Sequence, residues 1–198
     1  MKATARMWMG LFQSGVILLT GLAYYIVDAW LMRHYDQQRA QEGSGRSRGY
    51  TLFMLAFLTL LVVQPVLLPG LGLQISAGWG LWMQAVGLAL LSAALVLHWW
   101  ARSHLKHFYV EDVQFQEGHR MVDTGPYRWV RHPIFTSFFV IAVGLLLVNP
   151  ALTTLLMVVY VVVDFPRAAR SEEELLMENL PQYASYMERT GRFWPKRR

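Results

Sequence analysis

Long uncharged runs alternate with short polar blocks along this chain. From Tyr50 to His98 there is no Asp, Glu, Lys or Arg, and Ile134–Val163 is equally uncharged. Five apolar runs predict five helices: Trp8–Trp30, Tyr50–Leu68, Trp79–Trp100, Ile134–Val148 and Ala151–Phe165. A helix rises about 1.5 Å per residue, so roughly 20 residues cross the hydrocarbon core of a bilayer. The first three runs meet that length. The last two, about 15 residues or about 22 Å each, turn at Asn149-Pro150 and are read as a short crossing pair. The first run exceeds the apolar stretch of a signal peptide and lacks a small-residue cleavage pattern, so it is expected to be retained. Asp28 falls near its end, where an interfacial position is expected. In the third run Ala85, Ala89 and Ala93 recur every four residues, a stripe that would let another helix approach closely.

The polar blocks set orientation. The 33–49 loop carries four arginines, and the 101–133 segment carries four more plus Lys106, whereas the 69–78 and 149–150 turns carry none. Basic loops stay on the cytoplasmic side. That places both loops and the C-terminus in the cytoplasm and the N-terminus outside, with Lys2 and Arg6 pulling the other way. Composition agrees with a membrane setting: 55% of residues are hydrophobic and 16% charged, against about 25% charged in soluble domains. The expected fold is an all-α integral membrane bundle of about five spans. Residues 1–75 form two N-terminal spans, and residues 76–198 form a core with two polar blocks.

Net charge is +5, yet the basic residues lie in loops beside apolar runs, where they suit lipid head groups rather than nucleic acid. Cysteine is absent, which removes disulfides, thiolate nucleophiles and iron–sulfur sites together. His104 and His107 are three apart, but for these and for His98 and His119 interface roles are expected and a metal is not. No Gly-rich phosphate loop, Ser-centred elbow or HExxH occurs.

Chemistry-capable residues gather in two blocks around the last helical pair. In "HRMVDTGPYRWVRHPIF" (119–135), Gly125 and Pro126 make a turn and Pro133 suits the first position of a helix. His132 is then held between Arg131 and Pro133 at a helix N-terminus, a place that attracts carboxylate or phosphate. The second block opens with Ser171 and Glu172-Glu173-Glu174. Ser171 with Glu174 has the capping-box spacing, and the acids complement a helix dipole, but they also suit ribose hydroxyls or a cationic ligand. Pro181 should end that helix before Tyr183 and Tyr186.

Taken together, "HRMVDTGPYRWVRHPIF", the hairpin turning at Asn-Pro, and "SEEELLMENLPQYASYMERTGRFWP" resemble the isoprenylcysteine carboxyl methyltransferase family over roughly residues 80–195. Relatives of that family include membrane phospholipid N-methyltransferases. The resemblance implies S-adenosyl-L-methionine as cofactor at the cytoplasmic face of an inner or plasma membrane. Carried over by position, its contacts would be His119, Arg120, Met121, Val122, Gly125, Tyr127, His132, Pro133, Ile134 and Phe135. Glu172 or Glu173 would join them, with Gln114 or Gln116 upstream. His132, Arg131 and Glu172 would be catalytic, and Arg167 or Arg170 would face the substrate. Two departures stand out. Phe135 replaces the commoner tyrosine, and Leu180-Pro181 replaces a Phe-Gly in a segment one residue shorter, which leaves the register of the glutamates open.

The implied reaction moves a methyl group to a lipophilic small-molecule or lipid-linked acceptor. Such a displacement needs alignment and a dry site. A carboxylate acceptor is already ionised, whereas an amine or thiol would need His132 or a glutamate as proton acceptor. Two alternatives remain: a sterol-reductase-like enzyme using NADPH, and a non-catalytic membrane protein that retains the fold. The acceptor and the oligomeric state are left open by the sequence.

Overall fold

A computed structural model of the chain describes residues 9–35, 48–73, 75, 77–105 and 121–196. The described residues form helices α1 (Leu11–Tyr35), α2 (Arg48–Leu67), α3 (Ala77–Leu105), α4 (Pro133–Val148), α5 (Leu152–Asn179) and α6 (Tyr183–Arg189). Short 3-10 turns lie at Pro69–Leu71 and Gly125–Arg128. Helices α1, α3 and α5 are long and apolar enough to cross a membrane, whereas α4 and the apolar part of α2, Leu52–Leu67, are shorter. The outer surface is studded with exposed Leu, Phe, Val and Trp, among them Leu19, Phe53, Trp82 and Val162, as a lipid-facing bundle requires.

Helix α4 lies along α3 at the centre of the bundle. A Cβ at Gly87 would come within 2.7 Å of the Gly144 carbonyl oxygen, and one at Gly144 within 3.1 Å of the Gly87 carbonyl oxygen. Backbones therefore touch directly, the use to which membrane helices put small residues. The alanine stripe is not that contact. Ala85, Ala89 and Ala93 are all exposed; Gly87, Leu91, Ala94 and His98 are the buried ones. A four-residue repeat identifies a stripe without saying which way it faces. Gly87→Val should overpack this seam and lower thermal stability in detergent by about 1–3 kcal/mol, whereas Ala89→Val should leave it nearly unchanged.

The α4–α5 turn is pinned by buried amides. Gln64 Oε1 accepts from Asn149 Nδ2 at 2.9 Å and Thr153 Oγ1 at 3.0 Å. Gln13 and Gln84 both donate to the Val148 carbonyl, each at 3.2 Å. That carbonyl ends α4 and has no helical partner, so the two amides remove a desolvation cost.

At the opposite end of the core, His98 is fully buried rather than interfacial. Its Nε2 lies 3.0 Å from Asp28 Oδ1, and its Nδ1 lies 3.3 Å from Ser137 Oγ. Arg102 Nε donates to the same Asp28 oxygen at 3.1 Å. Asp28 is thus a tie between α1 and α3, with Ser137 of α4 behind.

The last apolar run is also longer than its sequence suggests. α5 continues through Pro166 to Asn179, about 42 Å of helix against a core of about 30 Å. Its final turns therefore stand clear of the hydrocarbon and carry Glu172 and Glu173. No new helix is capped at Ser171, whose hydroxyl donates instead to the Arg167 carbonyl at 3.4 Å. Packed membrane helices tolerate an internal proline, and here the turn before Pro166 is held by Phe165, ringed by Phe135, Phe138, Phe139 and Tyr160. Helix α5 does end ahead of Pro181, with Leu180 extended beyond it.

Candidate functional site

The approach to the site begins at Gly125, whose φ of +57° is in the left-handed region that glycine adopts without strain. A side chain there would also strike the His104 ring, 2.5 Å from the ideal Cβ position. The turn buries Tyr127, whose carbonyl accepts from the Tyr186 hydroxyl at 2.6 Å. Beyond it the chain pairs with its own C-terminal tail. Arg131 N donates to the Gly191 carbonyl at 2.8 Å, His132 N to the Arg192 carbonyl at 3.0 Å, and Gly191 N to the Trp129 carbonyl at 3.1 Å. Thr136 Oγ1 donates to the Phe193 carbonyl at 2.8 Å. The tail is a strap laid over the start of α4.

Glu173 is the hub beneath that strap, and it is 2% exposed. Arg131 Nε donates to its Oε1 at 2.8 Å, and Arg192 Nε to its Oε2 at 3.0 Å, with Arg192 Nη2 closing the pair. Arg131 Nη1 reaches on to the Thr190 carbonyl at 2.6 Å. His132 bridges the two acids: Nε2 lies 3.2 Å from Glu173 Oε1 and Nδ1 lies 3.2 Å from Glu172 Oε2. A protonated imidazole donates to both.

Burial alone would depress the His132 pKa, but the hydrogen bonds to Glu172 and Glu173 outweigh it and raise the pKa above the ordinary 6.5. The sign of the pH effect follows. The folded chain holds this proton more tightly than the unfolded one, so the stabilisation is complete below pH 6.5. It is lost as pH climbs through the higher folded value. Thermal unfolding measured in detergent from pH 6 to pH 9 should show falling stability, and His132→Gln should flatten the slope; an unchanged slope would contradict this assignment. Burial also raises the hydroxyls of Tyr183 and Tyr186 above their usual range, leaving both neutral at physiological pH.

One side of His132 is aromatic. Phe135 stacks on it at 5.5 Å and 8°, and Phe193 lies at 5.9 Å. Phe165 continues the wall 5.0 Å from Phe135. Glu172 stands at the open edge, its side chain 35% exposed. No side chain caps the N-terminus of α4.

Several residues named from sequence converge here: Arg131, His132, Pro133, Ile134, Phe135, Glu172 and Glu173. Val122 flanks them by packing against Ala101, Tyr127 and Ile134, and Met121 by packing against Leu180, Tyr183 and Tyr186. Gln114, Gln116, His119 and Arg120 lie outside the described residues. Arg167 and Arg170 are not brought to the site. Both are exposed; at 100° per residue Arg167 stands about 140° around the α5 axis from Glu172 and about 120° from Glu173, and Arg170 about 160° from Glu172 and about 60° from Glu173. Among the described residues, the guanidinium groups at Glu173 belong to Arg131 and Arg192. Sequence reasoning missed Arg192, Phe165 and Phe193; a glutamate buried in a core demands paired cations, and "GRFWP" was the available sign.

Comparison with known proteins bears on this same region. Residues 85–178 match the Isoprenylcysteine carboxyl methyltransferase (ICMT) family. They belong to it. The ICMT segment covers α4, the hairpin turn and α5 through both glutamates, while the strap residues that hold Glu173 lie beyond it. The fold is similar to the eukaryotic intramembrane Ras methyltransferase ICMT, with a TM-score of 0.62 at 21% identity, covering 83% of this chain and 60% of that one. At that identity the likeness concerns architecture. Nickel-cobalt-cadmium resistance protein NccN of Alcaligenes xylosoxydans xylosoxydans is 35% identical over 77 residues, covering 38% of this chain and 36% of its own. Cobalt-zinc-cadmium resistance protein CzcN of Cupriavidus metallidurans is 26% identical over 83 residues, covering 41% and 38%. The matched stretch thus spans well under half the length of these curated relatives.

Proposed function

We propose that this chain is an integral membrane methyltransferase that takes its methyl group from S-adenosyl-L-methionine and delivers it to a lipophilic acceptor. The observation that carries the reading is the His132–Glu172 pair at an uncapped helix N-terminus, walled by phenylalanines, within the ICMT segment. The residues present fit the donor. The Ile134 and Phe135 N–H groups, which have no carbonyl partner within α4, suit its carboxylate, Glu172 suits its ammonium or ribose hydroxyls, and ring faces suit a sulfonium cation. When bound, the donor supplies a methyl on a positively charged sulfur, an electrophile that needs no further activation.

The chain's own residues then bind, orient and exclude water. Glu173 has both oxygens engaged by arginines, so its role is to fix Arg131 and His132 rather than to hold ligand. Glu172 is the carboxylate with a free edge. Each ring nitrogen of His132 faces a carboxylate oxygen at 3.2 Å, which favours the protonated imidazole, so for an amine or thiol acceptor Glu172 is the better proton acceptor. The basic residues of the 33–49 and 101–133 segments support a cytoplasmic side for this site by the positive-inside rule.

The test is transfer of tritiated methyl from S-adenosyl-L-methionine, with full-length protein in nanodiscs and a total lipid extract as acceptor. Label entering the organic phase is expected, and it should fall at least about tenfold in Glu172→Gln through loss of a charged hydrogen bond. Failure to transfer, together with binding of NADPH, would replace this reading with a reductase.

A further inference from the structure

The polar chain buried behind α4 leads to its first turn. His98 and Ser137 are both fully buried. The His98 ring is clamped by Tyr24 at 4.6 Å and, edge-on, by Phe138 at 5.6 Å. On one side its Nε2 meets Asp28 Oδ1, which Arg102 also engages. An apolar side chain could fill the same space without the cost of burying polar groups. Packing alone does not explain the chain.

On its other side the ring reaches α4. Ser137 Oγ donates to the Ile134 carbonyl at 2.6 Å. Its hydrogen is spent there, so in the 3.3 Å contact with His98 the ring Nδ1 is the donor. The Ile134 carbonyl is one end of a planar peptide group whose other end is the Phe135 N–H. Orienting the carbonyl therefore orients the N–H. That N–H stands in the first turn of α4 and has no carbonyl partner within the helix. A hydroxyl that accepts from an imidazole while donating to the carbonyl also polarises the peptide, which strengthens the N–H as a donor.

We propose that His98 is a positioning residue of the methyl-donor site, acting through Ser137 to hold and polarise the Ile134–Phe135 peptide whose N–H receives the donor's carboxylate. The inference rests on the methyl-donor reading of that site. Asp28 fixes the ring from α1, a helix that precedes the ICMT segment at 85–178. One imidazole thus connects that helix to the site.

Two substitutions divide the contacts of the ring. An asparagine amide reaches about as far as Nδ1, and a glutamine amide about as far as Nε2. His98→Asn therefore keeps a donor for Ser137 and gives up Asp28, whereas His98→Gln keeps Asp28 and gives up Ser137. The contact with Asp28 is charge-assisted and the stronger of the two, so His98→Asn should melt at the lower temperature in detergent. Calorimetric titration of the full chain with S-adenosylhomocysteine should give the reverse order. His98→Gln and Ser137→Ala should each bind about fivefold more weakly than wild type, as one lost hydrogen bond implies, with His98→Asn between them and wild type. A merely structural histidine would make affinity follow melting temperature. Affinity of His98→Asn equal to or below that of His98→Gln would overturn the proposal and leave the methyl-donor reading intact. Wild-type affinity in Ser137→Ala would do the same, and it decides the case alone if a His98 variant fails to fold. No binding by well-folded wild-type protein would overturn both.

Discussion

Glu173→Leu is expected to cost the fold about 3–5 kcal/mol, the usual result of removing one partner from a buried ion cluster. The substitution strips the shared anion from Arg131, Arg192 and His132 together, and Glu173 is 2% exposed, so water cannot take its place. The damage should be spatially specific. The strap loses its anchor at Arg192, so hydrogen exchange should accelerate at the amides of Gly191, Arg131 and His132 before it does in α3. The neighbouring Glu172→Gln should cost under about 1 kcal/mol in the same melt, because a half-exposed pair contributes little. Equal stability of Glu173→Leu and wild type would show that the cluster does not hold the strap.

The second large effect is at Gly125. Valine there must take a positive φ, a strain of about 1–3 kcal/mol, and its Cβ would also collide with the His104 ring. Overpacking adds about 1–3 kcal/mol more unless the ring gives way. Because the turn sets Tyr127, and Tyr127 is bound to Tyr186, the distortion should propagate to α6 and the strap. Gly125→Val should therefore unfold at much lower temperature and lose ligand binding together. A well-folded variant with a normal melting curve would mean that the turn is not the rigid approach described above.

How far sequence alone reached depends on the range of each interaction. Local signals read correctly: the apolar runs of α1 to α4, the turn at Asn149-Pro150, glycine at Gly125 and proline opening α4 at Pro133. His132 and Glu172 could be paired because the hairpin between them forces their blocks together. What failed was either ambiguous or distant. Pro166 reads as a helix breaker in water, yet a helix held by packed rings passes through it. The alanine stripe had the right spacing on the wrong face. Arg192 meets Glu173 from 19 residues away, and the strap joins Arg131 to Gly191 across the whole hairpin and both helices. No periodicity encodes such contacts; only the cost of burying an unpaired carboxylate could have suggested them. Arg167 and Arg170, close to the glutamates in sequence, are exposed on α5, and neither takes part in the ion pairs at Glu173.

The measurement that bears most directly on the methyl-donor reading is a calorimetric titration of detergent-purified protein with S-adenosylhomocysteine. Wild type, Glu172→Gln and Glu178→Gln would be compared, the last removing an equally acidic but exposed residue of the same helix. Saturable binding by wild type and Glu178→Gln, weakened at least about tenfold in Glu172→Gln, is the predicted result. Absence of binding to well-folded wild-type protein, or identical affinity in all three, would contradict the assignment of a methyl-donor site to His132 and Glu172.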